Sequence, residues 1–453
     1  MRKLFCIILI ALSLNVNAQE KVLRNAMPDS WNDNVSAEQI LPSDDRWWQQ
    51  FDDPVLDSLI RMGEDANFDI AMAYRRMEAA SQQIAIARSA YYPTIEVSGN
   101  YVRRHQDGSN ENNLNIGASS RWQIDIFGKV TNAVRQRKAQ YRASRAEWIG
   151  TMVSMAGNIS STYIQLRVWQ SELAVAERHT VVQDSITELV KARYDCGLGA
   201  KPQLAQARAQ LHSIRGTIPQ LKTSIASAIS SLALLTGRYA TEIEAMLSGS
   251  SALPDYRQIV QAGIPSELLR RRPDIIEAES QLAAAAATVG IAKKDYLPTL
   301  TLEGNIGVSA ERPGDLFSDN TFSYTIAPTI SWTLFDGFSR QANVAAAREE
   351  MEALIANYNS IVVNAYNEVS NALTKYHNCL RQIEEYDEAT ANAREFLYLS
   401  LDLYTQGLSP YSDVATAQQS LLNYNNSLLI AQGEALVALV TLYVALGGGF
   451  GTL

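Results

Sequence analysis

The feature that most limits what this chain can fold into is an internal duplication. Ala87-Arg-Ser-Ala-Tyr-Tyr-Pro93-Thr-Ile-Glu-Val-Ser-Gly99-Asn100 returns as Ala292-Lys-Lys-Asp-Tyr-Leu-Pro298-Thr-Leu-Thr-Leu-Glu-Gly304-Asn305, an offset of 205 residues. Asp69-Ile70-x-x-Ala73 returns at the same offset as Asp274-Ile275-x-x-Ala278. Farther on the offset is 210: Trp122 matches Trp332, Tyr194-x-x-Gly197-Leu198 matches Tyr404-x-x-Gly407-Leu408, and Gly237 matches Gly447. Two copies, residues 63–237 and 268–447, are joined by a linker at 238–267 and flanked by an N-terminal segment (19–62) and a tail (448–453). A period this long is a duplicated domain, not a solenoid.

Each copy carries two long helices. Residues 94–201 contain no proline, and 338–406 contain neither proline nor glycine. Helical throughout, the second run extends about 100 Å at 1.5 Å per residue. No globular core needs such a length, which points to a coiled coil or helical tube. Both runs end on turn signals, Asp195-Cys-Gly-Leu-Gly-Ala-Lys-Pro202 and Gln406-Gly-Leu-Ser-Pro410. Glycine supplies the left-handed cap and proline opens the next helix. Helices then return over 202–236 and 410–446, with alanines (Ala205, Ala207, Ala209, Ala415, Ala417) that allow close packing.

Between the helices, four segments alternate with period two, at about 94–104, 113–127, 299–309 and 322–335. Ile95, Val97, Leu114, Ile116, Trp122, Leu300, Leu302, Tyr324, Ile326 and Trp332 fall on apolar sides. Glu96, Asn100, Arg121, Asp125, Glu303 and Asn305 fall on polar ones. The connections Gln106–Asn113 and Glu311–Asn320 are polar and read as loops. Alternation alone fits either a periplasmic sheet packed by helices on one face or a membrane barrel with lipid outside and a wet lumen inside.

The N-terminus favours the barrel. Arg2 and Lys3 precede an apolar run, Leu4–Leu14, too short to span a bilayer, and Val16-Asn17-Ala18 places small residues at a cleavage site. This reads as a Sec signal (1–18) cut before Gln19. Cys6 sits inside the apolar run without the small-residue context of a lipoprotein, so lipidation is not expected. No later stretch reads as a membrane helix of about 20 residues. Formal charge is −9. An acidic exported chain is poorly suited to nucleic acid, so no such partner is expected.

Four strands cannot close. In hydrocarbon every backbone N–H and C=O must be satisfied internally, so a barrel can have no free edge. The smallest outer-membrane barrels use about eight strands. Two copies of this chain would give a filled interior; three are the smallest number that leaves a channel. The fold expected is therefore mostly α with a membrane β-barrel segment, in duplicated helix–strand–strand–helix–helix repeats, in an oligomer in contact with outer-membrane lipid, a homotrimer being the smallest that conducts.

Leu268-Leu-Arg-Arg-Arg-Pro-Asp274-Ile-Ile-Glu-Ala-Glu279-x-x-Leu282, Ala292-x-x-x-Tyr296-Leu-Pro298, Trp47-Trp48-x-x-Phe51-x-Asp53-Pro54-x-Leu56, Trp332-x-Leu-Phe-Asp-Gly337 and the Gly407-Leu408 turn together resemble the pattern of the TolC/OprM/NodT-type outer-membrane efflux proteins. The resemblance implies a trimeric twelve-strand β-barrel on a twelve-helix periplasmic α-barrel. It also implies a periplasmic adaptor and an inner-membrane pump, with a lean toward the proton-driven resistance-nodulation-division type. Asp413 stands where the family carries an acid at its periplasmic entrance; Thr416 takes the place of a usual second acid, and Gln203 is the counterpart in repeat one. Asp413 reads either as one member of a carboxylate gate ring or as an ordinary first-turn acid. Gly197, Leu198, Gly407 and Leu408 are the tips at which the resemblance places adaptor docking. Many OprM/NodT relatives carry a lipidated N-terminal Cys that this chain lacks.

No catalytic set is present: there is no phosphate-binding G-x-x-x-x-G-K, no G-x-S-x-G and no H-E-x-x-H. The expectation is a passive conduit, not an enzyme, with no cofactor and no metal. His105, His179, His212 and His377 read as scattered exposed polar residues. Arg270-Arg271-Arg272 reads as a structural cluster before a helix start. Cys196 and Cys379 are too far apart along the chain's helices for a disulfide. The alternative to a duct is an exported coiled-coil rod or adhesin, which would lack paired amphipathic strands.

Overall fold

The computed structural model describes residues 46–247, 253–254 and 271–448. The leader, Cys6, Arg270 and most of the linker lie outside the described residues. A 3₁₀ turn (Trp47–Phe51) is followed by α1 (Pro54–Ala66), α2 (Phe68–Ser89), β1 (Thr94–Gln106), β2 (Ser109–Ile124), α3 (Lys129–Asp195), α4 (Lys201–Leu235) and α5 (Ala240–Leu247). Then come α6 (Pro273–Lys294), β3 (Thr299–Ala310), β4 (Phe322–Ser331), α7 (Ser339–Thr405) and α8 (Tyr411–Ala445). The long helices α3 and α7 have 67 residues each, and the returning helices α4 and α8 have 35 each.

The chain divides into two compact units. In its described residues one joins Tyr74–Glu147 to Asp274–Ile361 and contains the whole sheet. The strand order is β1-β2-β3-β4, every neighbouring pair antiparallel. The first hairpin corrects the expected loop at Gln106–Asn113. Gln106 pairs with Ser109, and the connection is only Asp107-Gly108, at φ 49° and 81°. Two successive left-handed residues, with Asp-Gly between, form the tight turn that suits strand twist. The asparagines that looked like loop are strand residues: Tyr101 Oη donates to Asn112 Oδ1 at 2.9 Å. At the other end β4 stops at Ser331, earlier than the expected 335. Trp332 lies just past it, where its indole N–H donates to the Tyr296 carbonyl at 3.0 Å. Trp122 does the same to Tyr91 at 2.9 Å.

The other unit holds the main apolar core. Trp47, Trp48, Phe51, Leu56 and Ile60 pack with Ile159, Tyr163 and Ile164 of α3, Leu232 of α4, and Leu436 and Leu439 of α8. Asp53 organises this seat. One carboxylate oxygen accepts the Val55 and Leu56 N–H groups at the start of α1. The other accepts the Tyr163 hydroxyl at 2.6 Å, and Arg167 Nε donates to that same hydroxyl at 3.0 Å. Burial, then the hydrogen bond to Asp53, holds the Tyr163 phenol far above its ordinary pKa. Trp47 stacks on Tyr443 at 5.2 Å.

The duplication survives as chemistry in this unit. Asn67 donates to the Leu235 carbonyl at 2.8 Å, and its counterpart Arg272 donates to the Ala445 carbonyl at 2.9 Å. Arg272 is buried and also pairs with Glu368 at 2.7 Å. It therefore ties the end of α8 to the start of α6, the structural use expected for the arginine run.

Three expectations need revision or placement. By length and composition α6 and α8 are apolar enough to cross a membrane, contrary to the sequence reading. In α8 the apolar residues serve the core, through Ala431, Ala435, Leu436, Leu439 and Leu442. His179 is buried, unlike His105, His212 and His377; burial, then the charge of Arg178, lowers its pKa. Cys196 is exposed, Cys379 is buried, and both are free.

Gly237 ends the first copy at φ +63°, and a Cβ there would lie 2.3 Å from the Ala66 carbonyl oxygen. Gly197 has φ +74° with open space around it. Gly237→Ala should therefore cost at least about 2 kcal/mol, and Gly197→Ala about 1 kcal/mol, the left-handed penalty alone. Thermal unfolding of the two purified variants checks this; equal losses would contradict it.

Candidate functional site

Register sorts the sheet into two faces. Residues paired directly across an antiparallel ladder point to the same side. Ile95 pairs with Ser120, Val97 with Ala118, and Tyr101 with Leu114. Ile116 pairs with Val308 and Trp122 with Leu302. Leu300 pairs with Ile330, Ile306 with Tyr324, and Gly304 with Ile326. All nine expected apolar positions within strands thus share one face. On the opposite face Glu96 pairs with Ser119 and Asn100 with Asn115, Ser119 with Asn305, and Arg121 with Glu303. Arg121 and Glu303 form an ion pair at 2.9 Å.

Asp125, expected on the polar strand face, does other work. It lies beyond β2 and accepts hydrogen bonds from the Val130 and Thr131 N–H groups and the Thr131 hydroxyl, at 3.0, 2.9 and 2.8 Å. Partial burial raises its pKa and these donors lower it more, so the net shift is downward. It is a cap for the first turn of α3.

At the other end of α3 and α7, both chain reversals have one geometry. Gly197 N–H bonds to the Tyr194 carbonyl and Leu198 N–H to that of Arg193; Gly407 bonds to Tyr404 and Leu408 to Leu403. With φ of 74° and 77° at the glycines, these are Schellman caps. The leucine following such a glycine ordinarily packs back on the helix. Here Leu198 and Leu408 are 73% and 70% exposed, so neither packs back on its helix.

A side chain not singled out from sequence links the tips. Arg193 Nη1 donates to the Tyr404 and Thr405 carbonyls at 2.9 and 3.0 Å, and its guanidinium lies 4.9 Å over the Tyr404 ring. Burial raises the Tyr404 phenol's pKa. Tyr404 meets Tyr411 edge-on at 5.8 Å. The Tyr411 hydroxyl in turn accepts from Gln183, which also donates to the Ala207 carbonyl. The sequence signal was an arginine in the last helical turn, where a cation meets unsatisfied carbonyls.

Asp413 and Gln203 occupy the same place, the third residue of their helices. Gln203 Oε1 accepts from the N–H of Ala200, the residue that caps α4. The capping residue of α8 is Pro410, which has no N–H to donate. Asp413 is half-buried and its Oδ1 accepts from Ser412 Oγ at 3.3 Å. Thr416 is exposed and its hydroxyl bonds back to the Ser412 carbonyl.

The outer membrane efflux protein family model matches twice, over residues 59–238 and 264–448. The chain belongs to the outer membrane efflux protein family. It is 29% identical over 440 residues to the pyoverdine export outer membrane protein OpmQ of Pseudomonas putida, covering 94% of this chain and 92% of that one. It is 28% identical over 410 residues to nodulation protein T of Rhizobium leguminosarum bv. trifolii, covering 89% and 88%. Its fold superposes on the outer-membrane channel OprN with a TM-score of 0.86 at 27% identity, over 94% of this chain and 98% of that one. The protein is thus an outer-membrane efflux channel with the helical-duct and β-barrel fold of its family. Channels of this family are trimeric and work with adaptor and inner-membrane pump partners.

In this efflux protein the Arg193 link has a direct consequence. Arg193→Gln removes two charge-assisted bonds to the end of α7, each worth roughly 1.5–3 kcal/mol where buried and less at this half-exposed site. Amide exchange at Gly407 and Leu408 should rise on the order of tenfold, while that of the Trp47–Leu56 seat stays unchanged. Unaltered exchange at the tip would contradict the link.

Proposed function

We propose that three copies of this chain close a twelve-strand barrel, with the apolar sheet face in outer-membrane lipid and Glu96, Asn100, Arg121, Glu303 and Asn305 lining the pore. The observation that carries this reading is the two-faced register over a sheet whose outer strands, β1 and β4, pair on one side only. Height supports it. On β2 the apolar face runs from Leu114 to Ile124, about 34 Å along the strand at roughly 3.4 Å per residue. A tilt of about 35–45° reduces that to about 24–28 Å, against an apolar band of about 25 Å in outer-membrane barrels. Efflux is passive through this part; the energy comes from a pump, of the resistance-nodulation-division type on the strength of the OprM/NodT likeness. Export uses the Sec signal at 1–18, and the mature chain starts at Gln19.

The exposed leucines Leu198 and Leu408 beside Gly197 and Gly407 are the adaptor-docking tips. Two solvent-facing leucines at matched reversals, freed from the packing such leucines usually do, offer apolar anchors to a partner. Asp413 is the gate residue, three copies forming a carboxylate ring, with Thr416 one turn on adding hydroxyls but no charge. Pro410 removes the capping partner that Gln203 enjoys, leaving the carboxylate available to the entrance.

Purified protein in planar bilayers should give discrete conductance. Asp413→Ala should raise single-channel conductance several-fold; an unchanged value would leave Asp413 with only its helix-dipole role. Leu198→Asp with Leu408→Asp should abolish co-purification with the adaptor while trimers persist. Undiminished recovery of the adaptor would remove the tips from the interface.

A further inference from the structure

We infer that the outer end of the apolar sheet face binds the phosphate groups of an anionic lipid, and that the fitting class is a phosphorylated glycolipid of the leaflet farthest from the helices. The inference rests on the reading of the sheet as a barrel segment. Along β1 the apolar face runs Ile95, Val97, Gly99, Tyr101, and then continues with Arg103 and His105 on the same side. Their cross-strand partners on β2 are Asn112 and Asn110. The Tyr101 hydroxyl donates to Asn112 Oδ1 at 2.9 Å, and His105 Nδ1 lies 2.9 Å from Asn110 Oδ1. Arg103 is exposed and forms no ion pair among the described residues.

The nearby carboxylates do not cancel this charge on this face. Glu111 pairs with Arg104 on the opposite side of the sheet, and Asp107 belongs to the turn. Glu311, Asp315 and Asp319 follow the end of β3 at Ala310, together with Arg312, and β2 stands between β3 and Arg103 of β1.

Depth identifies the occupant. Tyr101 shares the level of Leu114 and Ala310, the top of the apolar band. Arg103 is two residues farther, about 7 Å along the strand and about 5 Å in height at the tilt used above. A cation there lies just outside hydrocarbon, where lipid phosphates lie. A guanidinium takes phosphate oxygens bidentately, while the Asn and Tyr groups around it suit sugar hydroxyls. The sheet end bearing Asp107-Gly108 is opposite the end that receives α2 and α3, which puts the site in the outer leaflet when the helices are periplasmic.

Native mass spectrometry of the detergent-purified full-length protein tests this, with bisphosphorylated lipid A and the same lipid stripped of both phosphates as probes. Wild type should retain the phosphorylated form at least fivefold better. Arg103→Gln combined with His105→Gln should erase that preference, whereas Arg103→Lys and the opposite-face Arg104→Gln should keep it. Equal retention of the two lipids by wild type, an undiminished preference in the double variant, or an equal loss in Arg104→Gln would overturn the inference. A protein found in the outer-membrane fraction but indifferent to phosphate sinks this inference alone; absence from that fraction sinks the barrel reading beneath it.

Discussion

The backbone hydrogen bond at a sheet edge governs this molecule. A strand edge in water can solvate its N–H and C=O groups; in hydrocarbon each orphaned group costs several kcal/mol. This chain folds a four-stranded sheet with an apolar face of membrane height and leaves two edges for other strands to complete. Lipid therefore makes assembly a condition of folding for the sheet, and the polar face becomes a lumen only through that closure. No side-chain contact within one copy can substitute for it.

The duplicated helical hairpins meet a different demand, which is to hold very long helices in register. They do so by repeating a small set of ties. Asn67 and Arg272 each reach the final carbonyls of a returning helix, with different donors at equivalent positions. Trp122 and Trp332 each reach a tyrosine carbonyl before the strand-opening proline. The copies diverge at the tips: Gln203 completes a capping interaction that Pro410 denies to Asp413.

Much of this architecture is legible in the sequence. The duplication, the proline-free helices and their Gly-Leu reversals are written in spacing, and period-two alternation predicted which strand residues share a face. What escaped detection depended on local competition. The polar run after Gln106 suggested a loop because asparagine is common in turns, although Asp107-Gly108 alone suffices to reverse the strands. Trp332 continues the apolar alternation one residue past the end of β4, where its indole bonds the Tyr296 carbonyl. Asp125 matched the polar pattern but caps α3. Arg193 shows in the sequence only as a cation in the last turn of its own helix; the carbonyls it bonds belong to the neighbouring hairpin, which only the fold brings near. The exposure of Leu198 and Leu408 is a tertiary fact that no local sequence pattern carries.

The central claim is that one chain provides a third of a wall. The most direct measurement is the number of protein copies in the detergent-extracted particle, by native mass spectrometry under gentle activation. The account predicts three copies, falling to single chains only when the barrel is denatured. A particle that stays monomeric while inserting into lipid and conducting ions would contradict it.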